Sequence, residues 1–411
     1  VVGSSLNTAY LLERLSQTLE RLETLMAIFV SNRYLPRRIL LLTGCFARAA
    51  AERHSISRLW KQSSGLMARS VTQNAGDHGE HYITRDKKEY WAMFYSAAGG
   101  GVLIALMALF KTYLGSIIDD KVWKGIAEGL NYGLGFMVIF MLHFTVATKQ
   151  PAMTAARFAE AVEKTPQGKT VNMKLAQLLV DVFRSQSIAV LGNVLIAMGL
   201  AALIAFGYQY KTGEPLMNAD QIAYQLHSID PFAGTLWFAA IAGVWLFCSG
   251  IISGYFDNRS NYLNMRMRLT QHPLLKKLMS EKTRVKFANY MHENYGSLIG
   301  NLCFGMLLGI TGVVGYLTHL PLDIRHVAFS SANVGYIAVS GHFTYSLLLQ
   351  CIGFVLLIGL VNLIVSFSLT LWVALRSLNA EIDSWWPIWH EVCQIVKKRP
   401  LSLFLPVQLD K

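Results

Sequence analysis

Long apolar stretches recur along the chain after about residue 90. Six of them have the length of a membrane span: 94–114, 129–147, 187–208, 232–254, 297–318 and 345–372. Each can cross a bilayer once, because a helix needs about 20 apolar residues to cross the hydrocarbon core. The weaker stretch 327–344 suggests a re-entrant or interfacial segment. The pattern therefore predicts an all-α fold, a polytopic transmembrane helical bundle of about six spans.

The region before the first apolar block has an amphipathic pattern instead. Leu12, Leu15, Leu19 and Leu22 recur at spacings of three and four, with Glu and Arg between them. This spacing predicts a helix with a narrow apolar seam, which packs against a neighbouring helix more readily than it forms a free coiled coil. A second helix, over 37–69, has a basic face that either lies on lipid headgroups or faces solvent.

These patterns divide the chain into three parts. Residues 1–90 form a cytoplasmic helical region, 91–375 the transmembrane bundle, and 376–411 a tail in which Trp385, Trp386 and Trp389 precede a basic run. Tryptophans followed by Lys and Arg are typical of a membrane interface that leads into the cytoplasm. The chain begins with Val1 and shows no signal peptide, so we interpret it as a fragment.

An internal repeat is visible within the bundle. Several residues of the third block recur 108 residues later in the fifth, and the preceding block and basic loop fit the same offset. The matching pairs are Gly192 and Gly300, Asn193 and Asn301, Met198 and Met306, Gly207 and Gly315, and Tyr208 and Tyr316. The pattern predicts a parallel repeat of a helical hairpin, at about 129–208 and 237–316, with chance similarity of two Gly-rich helices as the alternative.

Composition and charge agree with a membrane location. The chain is 53% hydrophobic and only 15% charged, with a net charge of +12. Most Lys and Arg lie in the N-terminal region, in 148–186, in 255–296 and in the tail, whereas the other three loops carry only Lys121, Lys124, Lys211 and Arg325. Since Lys and Arg resist translocation, both termini are predicted to be cytoplasmic, in a multi-pass protein of a bacterial inner membrane. We favour anionic lipid over nucleic acid as the reason for the positive charge.

Polar residues within the apolar blocks are the first candidates for a site. Asn193 and Asn301 occupy matching positions and should face the bundle interior, where they either hydrogen-bond between helices, the favoured interpretation, or bind a substrate or ion. His143 could relay a proton or bind a headgroup. Lys111 is expected to snorkel to the outer interface without a carboxylate partner.

The strongest basic patch follows the fourth block. Its members are Arg259, Arg266, Arg268, Lys276 and Lys277. Phosphate is their natural ligand, in lipid headgroups or in nucleic acid, and proximity to the bilayer favours lipid.

Motifs for metal or cofactor binding are weak. Asp77, His78, Glu80 and His81 include an HxxH spacing that suits a metal, but the glycines beside His78 favour a loop. The five cysteines lie far apart without a CxxC spacing. We therefore predict no metal site and no cofactor.

Three segments resemble a bacterial family labelled site-specific recombinase, of the gonococcal gcr type. They are residues 10–15, 79–84 and 148–155, and the resemblance extends over essentially the whole chain. It implies DNA recombination. However, none of the eleven histidines has an arginine three residues later, as a tyrosine recombinase would need, and no hydrolase or nucleotide-binding motif is present.

The function predicted from the residues is therefore binding or transport of a membrane-associated substrate, an anionic lipid among the candidates. Two alternatives stay open: recombination with the catalytic part outside this fragment, and a membrane scaffold.

Overall fold

A computed structural model of the chain describes residues 6–30, 84, 86–146, 169–340, 343–377 and 384–406, together with isolated positions between them. Within these residues the secondary structure is entirely helical, which confirms the predicted all-α fold. The α-helices are α1 (Leu6–Val30), α2 (Lys87–Ile117), α3 (Lys121–Met141), α4 (Lys169–Thr212), α5 (Ala219–Ile229), α6 (Thr235–Tyr262), α7 (Met265–Gln271), α8 (Pro273–Leu278), α9 (Glu281–Thr318), α10 (Val327–Ala338), α11 (Tyr345–Ser377) and α12 (Trp386–Lys398). Two 3-10 turns, Pro231–Ala233 and Pro400–Leu403, precede α6 and follow α12.

Five of the described helices are long and apolar enough to cross a membrane: α2, α4, α6, α9 and α11. They contain four of the six predicted spans completely and all but the first three residues of a fifth, 232–254. The remaining block, 129–147, overlaps α3, a helix of 21 residues that is not among the five. Lys124, Glu128 and Asn131, together with several glycines, dilute its apolar character.

Glycines bring α3 and α9 into backbone contact. A methyl group on Gly305 would overlap the backbone of Gly133, and one on Gly309 would overlap the backbone of Gly129. Because Gly125 faces Val313 and Gly133 faces Leu302, the two helices run antiparallel. The pairs Gly129/Gly133 and Gly305/Gly309 thus form one packing seam, since glycine lets helix axes approach closely.

The short helix α10 lies inside the bundle. It has 12 residues, about 18 Å at helical rise, against a hydrocarbon core of about 30 Å. Nearly all of its residues are buried, and the Tyr336 hydroxyl donates a hydrogen bond to the Ala105 carbonyl of α2 at 2.7 Å. This burial fits a re-entrant segment and not an interfacial one.

Asn362 of α11 fixes the start of α10. Its side-chain oxygen accepts a hydrogen bond from the Val327 N–H at 3.2 Å. Its amide nitrogen donates to the carbonyls of Ala239 and Arg325, at 2.7 and 3.0 Å. Asn362 is fully buried, so these bonds satisfy an amide that would otherwise be costly inside the bundle.

The helices of the predicted repeat have different neighbours. Gly300 of α9 packs against Ser249 and Ser253 of α6, within the proposed second hairpin. The matching Gly192 of α4 packs against Ala97 of α2, which lies outside the proposed first hairpin. The repeat and the domain boundaries stay predictions.

The N-terminal helix α1 lies where the spacing of Leu12, Leu15, Leu19 and Leu22 predicts a helix. Its described seam residues Leu12, Leu15, Leu19 and Leu22 are exposed. The second predicted helix, over 37–69, lies outside the described residues apart from a few positions.

Candidate functional site

A cavity of about 520 Å³ lies at one end of the bundle. Its walls come from the end of α2, the start of α3, α5, the segment 319–326 that connects α9 to α10, and the first turns of α10. Charged and hydroxyl-bearing side chains line it, among them Lys111, Lys124, Glu128, Tyr132, Asp323 and Arg325. We call it the polar cavity.

The hairpin of α2 and α3 places an ion pair in the wall of the polar cavity. The turn is short, and Asp120 caps α3 by accepting hydrogen bonds from the N–H groups of Val122 and Trp123. Lys111 and Glu128 lie at similar distances from this turn, so their side chains meet, with 3.4 Å between Lys111 Nζ and Glu128 Oε2. The expectation that Lys111 has no carboxylate partner is therefore wrong.

Tyr132 lies one turn beyond Glu128 on the same helix. The Lys111 ammonium is 5.7 Å from the centroid of the Tyr132 ring, within the range of a cation–π contact. The Tyr132 ring in turn packs on Phe329 of α10, with 4.4 Å between ring centroids. One aromatic ring thus contacts the ammonium of the ion pair, and a second packs against the first.

The segment 319–326 brings a second ion pair into the polar cavity. Arg325 Nη1 lies 2.6 Å from Asp323 Oδ2, and Arg325 Nε donates to the Ser228 carbonyl at 2.8 Å. The backbone N–H of Arg325 also donates to the Phe238 carbonyl of α6 at 3.3 Å. These bonds hold the connecting segment against α5 and α6.

His326 lies at the inner end of that segment, outside the membrane-spanning helices, and is 1% exposed. Three aromatic rings surround it, those of Phe136, Phe304 and Phe329, with centroids 5.8 to 6.4 Å away. Burial lowers the pKa of His326 to about 4, so the imidazole is neutral at pH 7.

Helix α5 closes another side of the polar cavity. Asn218 and Gln221 form a capping box at its start, each side chain bonding to the backbone of the other. The box fixes the first turn, and Gln221, Tyr224 and Gln225 then line the polar cavity. Neutral hydrogen-bonding groups therefore accompany the charges.

Asn193 and Asn301 are both buried, but neither lines the polar cavity. The Asn193 amide donates to the Ala97 carbonyl of α2 and to the Thr145 carbonyl, the latter at 2.9 Å. Asn301 donates to the Ser297 carbonyl of its own helix at 2.8 Å. These contacts suit packing residues, and their role in substrate binding stays a prediction.

His143 lies just beyond the end of α3 and is exposed. It adopts a left-handed backbone conformation, with φ of 58°, and its carbonyl accepts a hydrogen bond from the Ser96 hydroxyl at 3.0 Å. It is remote from the polar cavity along α3, because Glu128 lies near the other end of that helix. A headgroup or proton-relay role stays a prediction.

The predicted phosphate-binding residues lie at the other end of α6 from the polar cavity. Phe238, near the start of α6, contacts Arg325, whereas Arg259 is about 30 Å further along the helix. All five side chains, Arg259, Arg266, Arg268, Lys276 and Lys277, are exposed. We call them the basic surface, and its separation from the polar cavity matches the thickness of a bilayer core.

The candidate metal ligands Asp77, His78, Glu80 and His81 lie outside the described residues. In the part of the chain that the structure does describe, no three His, Cys, Asp or Glu side chains are grouped as a metal site.

A comparison with models of protein families assigns the chain to a family. A family model described as site-specific recombinase matches residues 1–406. The chain belongs to the site-specific recombinase family. The match spans the N-terminal region, the bundle and nearly all of the tail, and it confirms the resemblance carried by residues 10–15, 79–84 and 148–155. No curated protein and no solved structure matches the chain.

In this member of the site-specific recombinase family, the polar cavity is not evident from sequence patterns. Glu128 and Tyr132 fall at the edge of an apolar block, and His326 falls in a loop. A signal exists for Glu128, since an antiparallel hairpin with a short turn pairs residues equally distant from that turn. No comparable signal places His326 among three phenylalanines from three elements.

Proposed function

We propose that this chain is a membrane-embedded binding or transport protein whose substrate places a polar group in the polar cavity. The observation that carries the proposal is the grouping of Lys111, Glu128, Asp323 and Arg325 in one cavity beside α2, a helix long and apolar enough to cross a membrane. Ionisable residues are costly inside a membrane bundle, so a cluster of them favours a substrate pathway over simple packing.

The short helix α10 supports the same proposal. Membrane transporters commonly build substrate sites where a helix is interrupted within the bundle. In this chain the segment 319–326 and the first turns of α10 supply Arg325, His326 and Ser330 to the polar cavity. A rigid core without a cavity would instead have favoured a scaffold.

A membrane lipid is the substrate class we propose. The polar cavity offers hydrogen-bond donors and acceptors for a headgroup, while exposed apolar side chains of the long helices, such as Leu106 and Phe110 of α2, offer a surface for acyl chains. The basic surface adds a second contact, with anionic headgroups at the membrane face where it lies.

Lipid retained through purification tests the proposal. We expect the wild-type protein, purified in mild detergent, to carry lipid detectable by native mass spectrometry. Lys111→Met should lose much of it, because an ammonium that contacts the headgroup is removed. Lys121→Met is the matched control, since Lys121 lies in the same helical hairpin but packs over Tyr316, outside the polar cavity. Equal lipid retention in the two variants would contradict the proposal.

DNA recombination is the second candidate, favoured by the family match and by the exposed cations of the basic surface. Replacing Arg266, Arg268, Lys276 and Lys277 with Gln separates the two functions. If the basic surface serves lipid, the wild-type protein binds anionic vesicles more tightly than duplex DNA at about 150 mM salt, and the variant loses vesicle binding. Specific strand cleavage by the wild-type protein would support recombination instead.

A further inference from the structure

The charges of the polar cavity are balanced. Its cationic side chains are Lys111, Lys124 and Arg325, and its carboxylates are Glu128, Asp220 and Asp323. Two of the cations are already adjacent to carboxylates, in the pairs Lys111–Glu128 and Arg325–Asp323. The cavity therefore has little net charge with which to attract a simple anion.

This arrangement discriminates between ligand charges. An anion that approaches Lys111 also approaches Glu128 only 3.4 Å away, so attraction and repulsion largely cancel. A simple cation is attracted by Glu128 and repelled by Lys111, so these two effects also largely cancel. A ligand with both charges places each one against its opposite, and such matching favours one partner over others more than it raises overall affinity.

We propose that the polar cavity binds a zwitterion that carries an ammonium group and a phosphate group, as a phosphoethanolamine headgroup does. Lys111, Lys124 and Arg325 contact the phosphate, while Glu128 and Asp323 contact the ammonium. This inference rests on the proposed function of the cavity and narrows its substrate class from lipid in general to zwitterionic headgroups.

Soluble headgroup fragments test the charge requirement. The probes are phosphoethanolamine, ethyl phosphate as its anionic half and ethanolamine as its cationic half, each titrated into the detergent-purified full chain by calorimetry. We expect phosphoethanolamine to bind at least about tenfold more tightly than either half. If ethyl phosphate bound as tightly as phosphoethanolamine, the proposed preference for a zwitterion would be overturned while the proposed function stayed intact. If no probe bound and purified protein retained no lipid, both would fail.

Substitutions of Glu128 and Lys111 should change the binding of the two phosphate-bearing probes in different ways. Glu128→Gln should weaken phosphoethanolamine binding about tenfold and strengthen ethyl phosphate binding, because the repelling carboxylate is gone. Lys111→Met should weaken both, and Lys121→Met should change neither. Parallel weakening of both probes by Glu128→Gln would overturn the assignment of Glu128 to the ammonium.

The source of the zwitterion is decided in nanodiscs. Native mass spectrometry compares bilayers of phosphatidylethanolamine with bilayers of phosphatidylglycerol at equal lipid-to-protein ratio. Preferential retention of phosphatidylethanolamine identifies the lipid as the source. If neither lipid were retained but soluble phosphoethanolamine bound tightly, the ligand would be a free solute, and the proposed preference for a zwitterion would still hold.

Discussion

Lys111 and Glu128 show how single residues hold charge inside the bundle. Their side chains are 39% and 14% exposed, so Glu128 is the more deeply buried partner. Removing one member of a buried pair leaves the other charge uncompensated, whereas removing both costs less.

We therefore expect Lys111→Met to lower the free energy of unfolding by about 1–2 kcal/mol, below the range for fully buried pairs because Lys111 is partly exposed. The double variant Lys111→Met/Glu128→Leu should recover part of this loss. Thermal unfolding in detergent measures both. Strictly additive losses in the double variant would contradict the pairing.

His326 makes stability depend on pH. Its pKa is about 4 in the folded protein, below the ordinary value of 6.5, because it is buried among phenylalanines. Asp323 and Arg325 on its own segment, and Glu128 and Lys111 of the cavity wall, are the nearby charged groups. Below pH 6.5 the unfolded chain binds a proton that the folded protein does not, so stability falls as the pH falls towards 4.

The difference between the folded and unfolded pKa values of His326 predicts that the free energy of unfolding falls by about 2 kcal/mol between about pH 7 and pH 5. Unfolding midpoints at the two pH values, for wild type and His326→Asn, measure it. The substitution should flatten the pH dependence, and His319→Asn, at an exposed position, should leave it unchanged. A His326→Asn variant as acid-sensitive as the wild type would show that another group causes the effect.

Between α3 and α9, packing depends on the absence of side chains. A methyl group on Gly309 would overlap the Gly129 backbone, whereas one on Gly312 would meet its nearest atom, Asp323 Oδ1, at 3.9 Å. The two glycines lie about one turn apart on the same helix, so they form a matched pair.

Gly309→Ala should lower the free energy of unfolding by about 1–3 kcal/mol, because the helices must separate. Gly312→Ala should raise it by up to about 1 kcal/mol, since alanine favours a helix over glycine and has room at this position. Chemical or thermal unfolding of both variants tests the seam. Similar effects of the two substitutions would contradict close approach at Gly309.

Sequence patterns predict most elements but not their neighbours. Apolar length identifies α2, α4, α6, α9 and α11, because a bilayer sets that length. It overstates α3, in which Lys124 and Glu128 line the polar cavity, and it leaves α10 undecided between interface and interior. Those outcomes depend on tertiary contacts, such as Asn362 at the start of α10, which no local pattern encodes.

For the whole molecule, the separation of the basic surface from the polar cavity along α6 predicts a transmembrane arrangement. In a variant with its own cysteines replaced by Ala, Lys277→Cys and Asp220→Cys should react with a membrane-impermeant thiol reagent from opposite faces of sealed vesicles. Labelling of both from one face would contradict a bundle that crosses the bilayer.

The candidate site is the least predictable feature of the whole molecule, because its charged residues come from parts of the chain that are far apart in sequence, from Lys111 to Arg325. Lys111 is visible as an unusual charge in an apolar block, but its partners come from the register of a hairpin and from a connecting segment. The asparagines singled out by the repeat instead bond to backbone carbonyls.

An experimental structure of the full chain in a lipid nanodisc would show whether the polar cavity holds a lipid headgroup. We expect ligand density in the cavity, in contact with Lys111 and Arg325 and continuous with an acyl chain on the helix surface. A cavity filled only with water, with ordered lipid confined to the outside of the bundle, would contradict lipid binding at this site.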